Sequence, residues 1–180
     1  MRELTMCENF RPDWVSYFLA ICQVVAQRSL DPDTKHGAVI VDSNHSILAT
    51  GYNGPPRNCH DDQIPLERPE KYLWFVHAEE AAIDNAARCG VSLDGATLYV
   101  NGFPCARCMR SIINAGIRVV RYLESYSHML DDKEIETVKT MVSMSGVSLE
   151  NAEIAYPVLK NARDDYFGRF RSSGSYLDDV

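Results

Sequence analysis

Apolar side chains at Trp14, Tyr17, Phe18, Ile21, Val24 and Val25 recur at three- and four-residue spacing, which predicts an amphipathic helix over residues 14–28. Asp13 or the adjacent Pro12 marks its start, and the Asp31-Pro32 step breaks it. Ala38-Val39-Ile40-Val41 is a continuous apolar run of the kind a buried strand shows. Asp42-Ser43-Asn44-His45 makes a turn, and residues 47–52 return as a second, antiparallel strand. From Asn53 to Pro69 the pattern gives way to Gly, Pro, Asn, Asp and charge, a loop long enough to suggest function.

Periodicity resumes with an alanine-rich helix over 76–87, a strand at 97–100, a helix at 105–115 and a strand at 119–123. A further helix spans 131–144 and is stopped by Gly146, leaving 147–149 for a short last strand. Strands alternating with helices predict a three-layer α/β/α sandwich, with largely parallel pairing after the opening hairpin. Beyond Val158 the pattern is helical to Phe170, then frays in Ser172-Ser173-Gly174-Ser175.

Composition narrows the function classes. The 180 residues suit one domain, and 46% hydrophobic content allows a sizeable core. A net charge of −7 argues against a polynucleotide partner, which usually demands a basic face, and favours a free nucleotide. No apolar run reaches the ~20 residues that span a bilayer, so no membrane association is expected. Residues 1–7 lack the apolar stretch of a secretion signal, so a cytoplasmic protein is expected. The six cysteines, at 7, 22, 59, 89, 105 and 108, are then expected to stay reduced. Cys22 and Cys89 read as core residues. Cys59-His60 has no matching fourth ligand for a second zinc site.

Two short segments carry the chemistry: His77-Ala78-Glu79 and Pro104-Cys105-Ala106-Arg107-Cys108. One imidazole and two thiolates supply three zinc ligands, the number that leaves a fourth position open, whereas a structural site is closed by four. Glu79 is not needed as a ligand and is placed to move protons. Both segments fall at predicted helix starts, where the helix dipole lowers thiol pKa values, and Pro104 suits the first turn of its helix. P-C-x-x-C alone also occurs in thioredoxin-like and zinc-ribbon proteins. The combination H-x-E…P-C-x-x-C resembles the zinc-dependent nucleobase deaminases, in which Glu acts as general acid and base.

Beyond these segments the chain resembles the deoxycytidylate (dCMP) deaminase family from about Trp14 to Val147. The likeness runs through Ala26-Gln27-Arg28-Ser29-Leu30-Asp31-Pro32, Lys35-His36-Gly37-Ala38, Gly51-Tyr52-Asn53-Gly54, Asp61-Asp62, Phe103-Pro104-Cys105 and Ala115-Gly116-Ile117. It implies a cytidine deaminase-like fold with a central mixed five-stranded sheet, in a catalytic domain over 10–156. Residues 157–180 form an extension beyond it. It implies zinc on His77, Cys105 and Cys108, Glu79 as proton shuttle, and deamination of dCMP to dUMP for thymidylate synthesis. Asn53 matches a residue that contacts the substrate sugar, and Ala78 is a further substrate-binding candidate.

The resemblance further implies an effector site, with dCTP activating and dTTP inhibiting in the presence of Mg2+. Gly51, Tyr52, Gly54, Arg57 and Asp62 are its candidates, with Arg68 a further cation for the triphosphate. Glycines flanking Tyr52-Asn53 would permit close approach and positive φ. Arg28 and Lys35 are the cations expected to meet the substrate phosphate, and Tyr126 a further substrate contact. A homo-oligomer, hexameric or dimer-based, is implied. The chain departs from the family at Ala81, where Asn is common, and at His36, where an aliphatic residue is usual. The short stretch between Cys59 and His77 argues against the additional zinc site of some phage members. A tRNA adenosine or free-base deaminase of the same fold, or an inactive nucleotide-binding subunit, are the rival readings.

Overall fold

A computed structural model describes residues 11–123 and 130–152. The extension over 157–180, its expected helix and Tyr126 lie outside the described residues. Helix α1, Trp14–Ala26, begins where the Asp13 carboxylate accepts the Ser16 N–H at 2.9 Å. Phe18, Leu19 and Cys22 form its fully buried stripe. The helix ends two residues before Arg28, which is exposed.

Strand β1, Gly37–Val41, is buried along its whole length and pairs antiparallel with β2, Ile47–Tyr52. Strand β3, Thr97–Val100, also runs antiparallel to β1. Strands β4, Val119–Tyr122, and β5, Ser148–Asn151, continue the sheet in parallel, giving the order β2-β1-β3-β4-β5. The expectation of parallel pairing after the hairpin therefore holds from β3 onward and fails at β1–β3. The crossover from β2 carries the chain past β1, so β3 runs along β2's direction and against the strand between them.

That crossover contains helix α2, Ala78–Arg88; α3 is Ala106–Asn114 and α4 is Asp132–Ser145. Because side chains alternate across a sheet, the two faces separate cleanly. Ala38, Ile40, Leu98, Val100 and Val120 meet Ala82, Met109, Ile112 and Val138 of α2, α3 and α4. Val39, Val41 and Tyr99 meet α1 on the other face. Three helices, a mixed sheet and one helix make the expected α/β/α sandwich.

Local details follow from particular residues. Asp131 caps α4 by accepting the Glu134 N–H at 2.7 Å, and Gly146 ends it at φ 72°, a left-handed turn that glycine adopts without strain. The stretch after Asn53 contains two single 3-10 turns, Asp61–Gln63 and Glu70–Leu73. Cys89 is exposed, contrary to the core reading, because it is the C-cap of α2 and lies beyond Ala86, the last buried residue of that helix. Among the described residues no helix is long and apolar enough to cross a membrane.

Candidate active site

The two ligand segments meet at one edge of the sheet because each occupies a helix start. His77 is the N-cap of α2 and Cys105 the N-cap of α3, both with extended backbone, and neither side chain is spent on capping its own helix. Pro104 precedes the cap, contrary to the expectation that it would sit in the first turn, because Cys105 itself is the cap and the helix begins only at Ala106. The approach to His77 is fixed by a two-way backbone bridge: Gly54 N–H to Val76 O at 3.1 Å, and Val76 N–H to Gly54 O at 2.8 Å.

His77 Nδ1 lies 3.4 Å from the sulfur of Cys105 and 3.4 Å from that of Cys108. All three donor atoms lie within 4.8 Å of one another. Zn–S and Zn–N bonds of ~2.3 and ~2.0 Å in a tetrahedron put sulfur and nitrogen roughly 3.5 Å apart, so the donor set fits zinc. Its protonation also fits. Cys105 is drawn down to about 4, first by the hydrogen bond from Cys108 and then, against burial, by His77. His77 is raised to about 9, chiefly by its hydrogen bond with Cys105. Cys108 is pushed well above its usual value by Cys105 and by burial, so a dication binding here displaces protons.

Glu79, in the first turn of α2, is 5% exposed. Burial pushes its carboxyl up to about 7, with His77 opposing the rise. A carboxyl poised there can both take and return a proton at neutral pH. Two further acids brace the helix starts. Glu134 reaches from α4 to accept the Ala106 N–H at 3.0 Å, one of the donors α3 cannot satisfy internally. Glu80 accepts from Arg107 Nε at 2.8 Å and ties α2 to α3.

The centre opens into a cleft of about 420 Å³ whose walls include His36, Asn53, Lys71, Ala78, Phe103 and Glu134. Asn53 is held on both sides: its Oδ1 accepts the His36 N–H at 2.7 Å and its Nδ2 donates to Thr34 O at 3.0 Å. The structure thus brings His77, Ala78, Glu79, Cys105, Cys108 and Asn53 together. Arg28 and Lys35 do not line this cleft; Lys35 Nζ donates to Ser29 O at 2.6 Å.

The five effector candidates fall along β2 and the loop that follows it. Gly51 is buried against α2, and an added Cβ would meet Ala82 N at 2.3 Å. Tyr52 and Asp62 are exposed, and Arg57 donates to Asn85 of α2 at 2.5 Å. Positive φ among the described glycines falls at Gly90, Gly95, Gly116 and Gly146, so neither Gly51 nor Gly54 uses that freedom. Arg68 pairs with Asp33 at 3.2 Å. Sequence reasoning missed Asp31, Lys71 and Glu134 as parts of the cleft. Nothing in their local sequence marks them, since each matters through a partner distant along the chain.

The model of the cytidine and deoxycytidylate deaminase zinc-binding region matches residues 12–124. Human deoxycytidylate deaminase is 37% identical over 142 residues, covering 76% of this chain and 78% of its own. A probable deoxycytidylate deaminase of Drosophila melanogaster is 41% identical over 146 residues, covering 74% and 70%. The crystal structure of dCMP deaminase from the cyanophage S-TIM5, in complex with dCMP and dUMP, superposes with a TM-score of 0.67 at 28% identity, over 80% of this chain and 100% of the other. On its matched region, its fold and its His-Cys-Cys centre, the chain belongs to the cytidine and deoxycytidylate deaminase family.

Proposed function

We infer that this protein hydrolyses dCMP to dUMP and ammonia, with zinc on His77, Cys105 and Cys108. The observation that carries the reading is the buried carboxyl of Glu79 beside those three donors on the wall of one nucleotide-sized cleft. A zinc ion held there supplies a nucleophile from water at neutral pH. Glu79 takes a proton from the attacking water and delivers it to ring nitrogen 3 as oxygen bonds to carbon 4. Glu79 next removes the remaining proton from the new hydroxyl on carbon 4 and passes it to the amino group, so the carbonyl forms as the carbon–nitrogen bond breaks and ammonia leaves. Asn53 holds the sugar, and Ala78 forms the adjacent wall. The deoxycytidylate relatives and the acidic net charge support a free nucleotide as substrate.

Arg28 and Lys35, on the turn leading to the Thr34–His36 wall, and Tyr126 are the proposed contacts for the rest of the nucleotide. Regulation by dCTP and dTTP with Mg2+, through Gly51, Tyr52, Gly54, Arg57 and Asp62, belongs to the same proposal. So do a homo-oligomeric state, hexameric or dimer-based, a cytoplasmic location, and a catalytic domain over 10–156 with an extension over 157–180. Incubating the purified protein separately with dCMP, dCTP, cytidine and a tRNA stem-loop tests the substrate. Formation of dUMP from dCMP is expected. Product from the stem-loop alone would replace the nucleotide reading, and product from none would favour a regulatory subunit.

A further inference from the structure

Lys71 is 1% exposed, yet its ammonium is charged and doubly held. It donates to Asp31 Oδ1 at 2.8 Å and to Asp33 Oδ2 at 2.9 Å. Asp31 is itself buried and accepts the N–H groups of Asp33 at 2.9 Å and Thr34 at 3.1 Å. Its second oxygen faces Asn53 Nδ2 at 3.5 Å, and Asn53 also donates to Thr34 O. Lys71 stands on the 3-10 turn that sets Tyr72 and Phe75 on one wall of the cleft, whereas Asp31, Thr34 and Asn53 form another. One ammonium therefore fastens, through side chains, two walls whose backbones otherwise meet at the Gly54–Val76 bridge.

We propose that Lys71 is a positioning residue that, through Asp31, sets Asn53 and the turn over residues 31–34 at the distance needed to grip the nucleotide sugar. The proposal rests on the reading of Asn53 as the sugar contact. The hydrogen bonds of the Lys71 ammonium go to Asp31 and Asp33 and not to the metal donors or Glu79, so its effect falls on binding of the sugar and leaves the proton transfers intact. A buried pair broken on one side leaves an uncompensated charge, whereas replacing both partners by neutral groups of similar size is tolerated. The informative variant is therefore Lys71→Met combined with Asp31→Asn.

The test compares dCMP with 2′,3′-dideoxycytidine 5′-monophosphate, which lacks the sugar hydroxyl, on zinc-loaded enzyme. A lost hydrogen bond corresponds to roughly a three- to tenfold change. The double variant should raise KM for dCMP by about that factor with kcat within about twofold, and change KM for the dideoxy nucleotide by less than about twofold. Lys71→Arg, which keeps the charge but needs more room in a closed site, should show the same selectivity. Asn53→Ala serves as the reference. If it raises KM equally for both nucleotides, the sugar reading falls and the proposal with it. If Asn53→Ala discriminates but the Lys71 variants leave KM unchanged, or raise it equally for both, the Lys71 proposal alone is overturned.

Discussion

Replacing Gly51 with alanine tests whether the sheet carries the active site as the packing indicates. The new Cβ would lie 2.3 Å from Ala82 N, 2.4 Å from Ala78 O and 2.8 Å from Ala81 C, all backbone atoms of α2. Carbon atoms pack at roughly 3.5 Å, so α2 must retreat by about 1 Å. Overpacking of this kind costs about 1–3 kcal/mol. For a domain of this size that lowers Tm by about 2–12 °C. The same shift moves His77, Ala78 and Glu79, which open α2, and a displacement of about 1 Å in a catalytic constellation can cost ~10²-fold in rate. The assay follows loss of cytosine absorbance with dCMP, beside thermal melting and zinc content. A variant with wild-type Tm and kcat/KM would refute the reasoning. A variant with normal basal rate but no response to dCTP would instead assign Gly51 to an effector site.

Other consequences concern charge and metal. Burial alone would raise Asp31, but hydrogen bonds from Lys71, Thr34 and Asp33 hold its carboxyl below the usual value of 3.8. A depressed folded pKa means that the stabilisation is complete above 3.8 and disappears as pH falls through the lower folded value. Melting curves from pH ~5 to ~2 should show wild type losing more Tm than the Lys71→Met, Asp31→Asn protein; parallel losses would contradict the pairing. Cys108→Ser removes the fully buried thiolate donor, so zinc content by atomic emission and dCMP turnover should fall together. Wild-type zinc content in that variant would place the metal elsewhere.

How much of this was legible in the sequence depends on the range of each interaction. α1, the β1–β2 hairpin, the α4 stop at Gly146 and the two ligand-bearing helix starts were readable, because capping, turn chemistry and periodicity act over a few residues. Antiparallel pairing of β1 with β3 was not, since it follows from how α2 carries the chain across the sheet. The zinc donors announced themselves by residue type and spacing. Lys71 and Glu134 did not, because they act on groups 40 and 28 residues away. Gly51 shows the reverse case. Its neighbours suggested a ligand loop, while its close contacts are with the backbone of α2.

The central claim is that Glu79 moves protons at a zinc centre built by His77, Cys105 and Cys108. The most direct measurement is dUMP formation from dCMP by wild type and Glu79→Gln, each analysed for bound zinc. The account predicts about one zinc per chain in both proteins, as three donors and one open position require, and turnover reduced about 10²–10⁴-fold in the variant alone. Zinc-loaded wild type that makes no dUMP, or a Glu79→Gln protein that turns over dCMP at the wild-type rate, would contradict it.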